Sequence, residues 1–213
     1  MEITWLGHSC FRIKGKEVVL ITDPYDSTIG YSLGQPKANI VTSSHAHPGH
    51  SFVAGVGDEP RIVRGPGEYE IASVFITGIR TFHDAENGKK WGKNTAYLIE
   101  MEEIRVCHLG DLGHVLSSEQ VEKMSGVELL LVPVGGLCTI GAAAAAEVVR
   151  LLEPKVVIPM HFKTDVVPFH LEPVASFLKE MGMKQISPLP KLSLTRSTMP
   201  RETQVVVLDY HGQ

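Results

Sequence analysis

The feature that most constrains this chain is a cluster of three histidines within six residues, in the segment Ser44-His45-Ala46-His47-Pro48-Gly49-His50. The cluster follows Asn39–Thr42, a short apolar segment that is predicted to form a strand. Side chains two residues apart in extended backbone point to the same side, so His45 and His47 can reach one cation. The Pro-Gly pair after them favours a turn that returns His50 to the same place. Because imidazole is a common ligand of first-row metals, the pattern predicts a metal site at the end of a strand.

Four other apolar segments run into an aspartate or a histidine at their carboxyl ends. Taken singly, each of these side chains has a plain structural alternative, namely a turn residue, a surface loop residue, a helix cap or a hydrogen-bonded core histidine. Together they favour one site, because ligands from distant parts of an α/β chain meet at the carboxyl edge of its sheet. The four are Asp23 after Val18–Thr22, His83 after Val74–Thr81, Asp111 after Ile104–His108, and His161 after Val156–Met160.

The order of apolar segments predicts an α/β protein in which strands dominate the first half and alternate with helices in the second. The predicted strands are Ile3–Leu6, Phe11–Ile13, Val18–Thr22, Asn39–Thr42, Arg61–Arg64, Ser73–Ile79, Thr95–Met101, Ile104–His108, Glu128–Pro133, Lys155–Met160 and Val205–Leu208. The predicted helices are one that begins at Ser117 with Gln120 as its capping-box partner, Gly141–Leu152, and Leu171–Met181 closed by Gly182. Residues 185–204 are predicted to be loop, and no linker divides the chain, so residues 1–213 are predicted to form one domain.

Composition narrows the class of protein. Three cysteines, an odd number, indicate reduced thiols in a cytoplasmic protein rather than a disulfide framework. The net charge of −4, with no cluster of basic residues, argues against a nucleic-acid partner and leaves a small-molecule substrate. No apolar segment is long enough to cross a membrane, and the first residues lack the pattern of a signal peptide. The oligomeric state is not predicted.

These motifs resemble the metallo-β-lactamase superfamily, which shares the His-x-His-x-x-His spacing, the later single histidine, the Gly-Asp pair and the late histidine after a strand. Three segments are similar to its ascorbate-phosphate-lactonase-like branch: Leu6-Gly7-His8-Ser9-Cys10, Thr22-Asp23-Pro24-Tyr25 and Leu109-Gly110-Asp111. The resemblance covers essentially the whole chain. It implies an αββα four-layer sandwich, in which two mixed β-sheets are flanked by helices, with a hydrolytic site for one or two metal ions at one edge.

The resemblance also assigns roles to residues. It implies a first metal held by His45, His47 and His83, a second held by His50 and His161, Asp111 bridging the two, and Asp23 orienting a ligand histidine. Asp111 and His50 are accordingly the expected catalytic residues. Zn²⁺ is the expected metal, with Mn²⁺ or Fe as alternatives, because histidine-rich sites accept several first-row ions.

One departure from the family pattern concerns the residue before the last histidine of the cluster. The family usually has a metal-binding aspartate there, whereas this chain has Gly49, so the second metal site is expected to be weakened or completed by another group. His8 is one candidate for that group, although a substrate-contacting or structural role for it stays open. His108 and Lys163 are candidates for supporting a ligand or contacting substrate, and His211 is expected to take no part.

The expected chemistry is hydrolysis. A bound cation lowers the pKa of water towards about 7 and so supplies hydroxide at neutral pH to attack an ester, lactone, amide or phosphodiester. Two alternatives remain open. One is a metal-binding protein of the same fold with little catalysis, which the glycine at position 49 favours, and the other is a nuclease or phosphodiesterase.

Overall fold

Two β-sheets packed face to face form the frame of the protein in a computed structural model that describes residues 1–210. The first sheet has the order β12-β1-β2-β3-β4-β5, with β1 Glu2–Gly7, β2 Cys10–Lys14, β3 Val19–Thr22, β4 Ile40–Ser43, β5 Arg61–Arg64 and β12 Leu192–Ser193. The second has the order β13-β11-β10-β9-β8-β7-β6, with β6 Gly67–Ile71, β7 Val74–Phe82, β8 Lys93–Met101, β9 Ile104–His108, β10 Leu129–Pro133, β11 Val156–Met160 and β13 Gln204–Val205. The helices are α1 Ser118–Lys123, α2 Ala142–Leu152 and α3 Val174–Glu180. His211 lies outside the described residues, and the one-domain division of residues 1–213 stays a prediction.

The strand directions place several carboxyl ends at the same edge of each sheet. In the first sheet, β2 is antiparallel to both β1 and β3, and β3 is parallel to β4, so β1, β3 and β4 run the same way. In the second, β9, β10 and β11 are parallel, and β7 shares their direction because the antiparallel β8 lies between β7 and β9. Residues that follow these strands are therefore brought together.

Alternating residues of the first sheet face two different cores, as the two-residue period of a strand requires. Leu20 and Ile40 pack into the large core between the sheets, whereas their neighbours Ile21 and Val41 pack into a smaller cluster on the outer face. This cluster is covered by loops and the 3-10 turns Ser27–Ile29 and Val53–Gly55. The two-sheet sandwich is confirmed, but its outer layer here is not α-helical, because prolines and glycines recur through residues 24–60.

The helices lie on the other side of the sandwich and follow their sequence signals with one correction. Ser117 caps α1 and forms the predicted capping box with Gln120. The last helix is shorter than predicted, because Pro173 is its N-cap and the residue before it instead bonds to the neighbouring segments through its backbone. Gly182 ends this helix in the left-handed conformation, with φ of 68°.

Two strands, β6 and β12, were not predicted from the sequence. The strand β6 was missed, because its exposed residues give it no apolar pattern. Residues 185–204 were predicted to be loop, yet they contain β12 and a 3-10 turn over Arg196–Thr198. Within residues 1–210, no helix has both the length and the apolar character needed to cross a lipid bilayer.

Candidate metal centre

Seven histidine and aspartate side chains from both sheets line one cavity of about 370 Å³. Each of them follows the carboxyl end of a strand, or lies in the loop that begins there, so the shared edge of the sandwich brings together residues that are far apart in sequence. They are His8 after β1, His45, His47 and His50 after β4, His83 after β7, Asp111 after β9, and His161 after β11.

Asp111 lies at the centre of this group and is 2% exposed. Its Oδ2 atom is 3.1 Å from Nε2 of His50, 3.2 Å from Nε2 of His83 and 3.6 Å from Nε2 of His161. One carboxylate oxygen therefore faces three imidazole nitrogens drawn from both sheets. This is the position expected of a bridging ligand.

In two of the histidine rings, a hydrogen bond at one nitrogen determines that the other nitrogen is available to a cation. His83 donates from Nδ1 to the backbone carbonyl of Cys138 over 2.7 Å, and His50 donates from Nδ1 to Oδ2 of Asp23 over 2.8 Å. A carbonyl and a carboxylate only accept, so Nδ1 carries the proton in both rings and Nε2 is the nitrogen that faces Asp111. Such bonds orient metal ligands and raise their basicity.

Ser44 links Asp23 to a third ring, and sequence reasoning missed it. Its backbone N–H donates to Oδ1 of Asp23 over 2.7 Å, and its hydroxyl donates to Oδ2 over 2.5 Å. Because the single hydroxyl proton points to the carboxylate, the Ser44 oxygen accepts from Nδ1 of His45 over 3.0 Å. One buried carboxylate thus orients both His45 and His50.

The donor set fits a transition-metal ion. Nε2 of His45 carries a lone pair and is buried, and no partner for it occurs in residues 1–210. A buried polar atom without a partner is costly, and a cation relieves that cost. Nδ1 of His47 is also unprotonated, because it accepts from the Gly49 N–H over 3.2 Å. Nitrogen donors with one carboxylate suit Zn²⁺ and its first-row neighbours.

Charge and burial set opposite protonation states for neighbouring rings. Burial lowers the pKa of His45 to about 3, so this ring is neutral at physiological pH. Burial also disfavours a charge on His50, but the Asp111 and Asp23 carboxylates outweigh it and raise its pKa to about 10. Burial disfavours the Asp111 carboxylate too, yet the neighbouring His50 and His161 rings hold its pKa well below the usual range. The metal-free site therefore carries a proton on His50 between two carboxylates.

Metal binding is expected to release this proton and to tighten as the pH rises. A cation needs the lone pair at Nε2 of His50, and that atom is protonated below a pKa of about 10. The apparent affinity should increase by up to about tenfold per pH unit between pH 6 and 9, with roughly one proton released per chain. Isothermal titration calorimetry in buffers of different ionisation enthalpy measures the release. An affinity that does not change with pH would contradict the protonation of His50.

Tight turns aim the side chains into the site. His8, Asp23 and His161 adopt left-handed backbone conformations, with φ of 52°, 39° and 53°, at the points where β1, β3 and β11 end. Such conformations are strained for residues other than glycine, and they recur at functional sites. Glycines allow the close packing beside them: a Cβ atom on Gly113 would lie 2.2 Å from the backbone of His83, and one on Gly135 would lie 2.0 Å from that of His161.

Three of the predicted supporting residues, Asp23, His108 and Lys163, do not line the cavity. His108 is fully buried and donates from Nε2 to the Ser9 carbonyl over 2.8 Å, so it holds the loop after β1 rather than substrate. The ammonium group of Lys163 bonds to the backbone carbonyls of Val167 and Phe169 and closes their loop.

The cavity walls are apolar. Trp91, Leu137 and Phe169 line the cavity and are 51%, 68% and 37% exposed. Among the described residues that line it, none is lysine or arginine. The site therefore combines a polar floor with an apolar entrance.

Comparisons with known proteins agree with this geometry. Residues 2–161 match the family model of the β-lactamase superfamily domain. A UPF0173 metal-dependent hydrolase of Pyrococcus horikoshii is 27% identical over an alignment of 193 positions, and the match covers 77% of this chain and 85% of that protein. A crystal structure from Thermotoga maritima, provisionally described as a Zn-dependent hydrolase of the metallo-β-lactamase superfamily, is 42% identical, with a TM-score of 0.81 and 97% of each chain covered.

A metallo-hydrolase of Ignicoccus hospitalis shares the fold, with a TM-score of 0.69, 21% identity, and 91% of this chain and 99% of that chain covered. The resemblance seen in the sequence is confirmed by the family match, the fold and the buried histidine–aspartate cluster. The chain belongs to the β-lactamase superfamily domain family, and it is a metal-dependent hydrolase of the metallo-β-lactamase superfamily.

Proposed function

We propose that this enzyme hydrolyses an ester or lactone bond in a small, uncharged substrate that carries an apolar group. The observation that carries the proposal is the combination of a convergent histidine–aspartate floor with walls of Trp91, Leu137 and Phe169. A phosphodiester would bring negative charge into a cavity whose described lining offers no lysine or arginine to neutralise it. An apolar acyl or ring group gains by burial against the exposed walls.

Two metal subsites are proposed, as the resemblance implies. His45, His47 and His83 would hold the first ion, His50 and His161 would help to hold the second, and Asp111 would contact both. Zn²⁺ is the metal proposed first, since nitrogen donors with one carboxylate suit it. When bound, the metal supplies a more acidic water and polarises the substrate's carbonyl oxygen.

The chain's own residues supply positioning. Asp111 stays ionised because its pKa is held well below the usual range, so it balances positive charge and accepts a hydrogen bond from the attacking water rather than storing a proton. Asp23 holds the His50 ring directly and the His45 ring through Ser44, which keeps Nε2 of both rings directed into the cavity. Trp91 and Leu137 hold the apolar group of the substrate at the entrance.

A series of p-nitrophenyl esters tests the substrate class. We expect kcat/KM to rise from the acetate to the hexanoate, by about threefold to fourfold per added CH₂ group that is buried against the walls, which corresponds to about 0.8 kcal/mol each. Trp91→Ala should flatten this dependence. Bis(p-nitrophenyl) phosphate should be a poor substrate of the same metal-loaded protein.

Phe75→Ala provides the matched control, because Phe75 is also 51% exposed but lies on the surface of β7, away from the cavity. This variant should keep the wild-type dependence on chain length. Turnover of the phosphodiester with no turnover of any ester would show that the protein is a phosphodiesterase and not an ester hydrolase. Protein that is loaded with metal and inert to every substrate would indicate a metal-binding protein without this catalysis.

A further inference from the structure

Three buried imidazoles, those of His8, His50 and His161, form a compact group behind Asp111. Each is at most 3% exposed. Nε2 of His8 is 3.2 Å from Nε2 of His50, and the ring centroids of His8 and His161 are 4.3 Å apart. One donor atom from each of the three rings lies within 4.8 Å of the others, which is close enough for one cation to contact all three.

The hydrogen bonds of His8 do not account for a purely structural role. Its Nδ1 atom is buried, and residues 1–210 offer it no partner. Its Nε2 atom faces Nε2 of His50, whose other nitrogen is committed to Asp23. The Nε2 atoms of His8 and His50 and the Asp111 carboxylate therefore converge, and either a proton or a cation can lie among them.

Gly49 lies next to the His8 ring. A Cβ atom on residue 49 would lie 3.4 Å from Nε2 of His8, 3.3 Å from Nδ1 of His47 and 2.9 Å from the end of the Ile29 side chain. A Cβ atom on residue 49 would thus be in contact with the His8 ring. Glycine at this position leaves the space beside Ile29 and His47 open to the imidazole of His8, which follows β1.

The backbone holds His8 in this orientation. The residue has a left-handed conformation, with φ of 52°, directly after β1. Its carbonyl accepts from Nε1 of Trp5 over 2.9 Å and from the backbone N–H of His161 over 3.1 Å. The second of these bonds ties the two neighbouring imidazoles to each other through the backbone, so they approach a cation as a preformed pair.

We propose that His8 is a metal ligand through Nε2, and that it completes the second metal subsite with His50 and His161 where residue 49 has no side chain. This inference rests on the proposed metal centre. In the second subsite, every proposed ligand other than Asp111 is then a histidine. The ligand comes from the loop after β1, whereas the neighbouring ligands come from the loops after β4 and β11.

The test is the stoichiometry and spectrum of Co²⁺ binding to the purified full-length protein. His8→Asn is the first variant, because asparagine tolerates the left-handed conformation and is a poor ligand for this ion. Wild-type protein should bind about two equivalents, and His8→Asn should keep one tight equivalent while the second weakens at least about 10–100-fold, with loss of part of the visible d–d absorption. The exposed His170→Ala serves as the control and should retain both equivalents.

A rescue variant separates ligation from folding. In His8→Asn/Gly49→Asp, a carboxylate enters the space beside the shortened side chain, and it should restore the second equivalent with a changed absorption spectrum. If His8→Asn unfolds, as far-ultraviolet circular dichroism would show, restoration by the double variant still supports the proposal. Failure of the double variant to bind a second equivalent would then overturn it.

Two results would contradict the proposal while leaving the metal centre intact. One is a His8→Asn variant that binds both equivalents with wild-type affinity. The other is a near-ultraviolet thiolate-to-cobalt band that disappears in Cys138→Ser, because Cys138 also has a donor atom within 4.8 Å of those of Asp111 and His161. Wild-type protein that binds no cobalt would instead overturn the proposed function itself.

Discussion

Replacing Asp111 with asparagine is expected to lower kcat/KM for the preferred ester by at least roughly 10–100-fold, the loss that is typical even for a group that only orients metal ligands. The change keeps the size and shape of the side chain but removes the negative charge that faces His50, His83 and His161. Metal affinity should fall with activity, because the central anion of the site is gone. Steady-state kinetics and metal titration of the same preparation measure both effects.

Asp58→Asn is the control for this variant. Asp58 is an exposed carboxylate that pairs with the exposed Lys37 over 3.2 Å, so its loss should leave kcat/KM and metal affinity unchanged. An Asp111→Asn enzyme with activity within about twofold of wild type would show that the central carboxylate has no part in hydrolysis, and would refute its proposed role.

Asp23→Ala is expected to destabilise the metal-free protein by about 3–5 kcal/mol, the cost of breaking a buried charge pair. Asp23 is 0% exposed and accepts from the backbone and hydroxyl of Ser44 and from Nδ1 of His50. Its removal leaves a buried imidazolium and an unpaired backbone N–H. Urea unfolding in the presence of a chelator measures this cost without a contribution from bound metal.

The same variant should bind metal about 10–100-fold more weakly, as is typical when the group that orients a ligand is removed. Asp58→Ala should change the unfolding free energy by no more than about 0.5 kcal/mol, since it alters only an exposed pair. Stability and metal affinity that both stay at wild-type values in Asp23→Ala would show that the Asp23 contacts do not orient His50 and His45.

The clustering of the candidate site residues could be predicted because these residues carry their own sequence signal. His45 and His47 are two residues apart after an apolar segment, and His83, Asp111 and His161 each follow another such segment. Strand ends are easy to locate, and the parallel strands place them at one edge. The same logic did not find Ser44, because its role depends on a hydroxyl proton that points to Asp23 from another strand.

Features that depend on packing were harder to predict. Lys163 is two residues from His161, but its ammonium group turns away to bond with its own loop. The apolar walls come from three separate loops at Trp91, Leu137 and Phe169, and no periodicity connects them. The short strand β12 was missed because two residues carry no periodic pattern, and it pairs with β1 from the opposite end of the chain.

The central claim is that the histidine–aspartate cluster is a metal centre, and elemental analysis of protein purified without chelator or added metal tests it most directly. The account predicts about two equivalents of a transition metal per chain, or at least one if the second subsite loses its ion on purification, with metal lost from His45→Ala. Wild-type protein that holds no metal, even after reconstitution with zinc, manganese and iron, would contradict it.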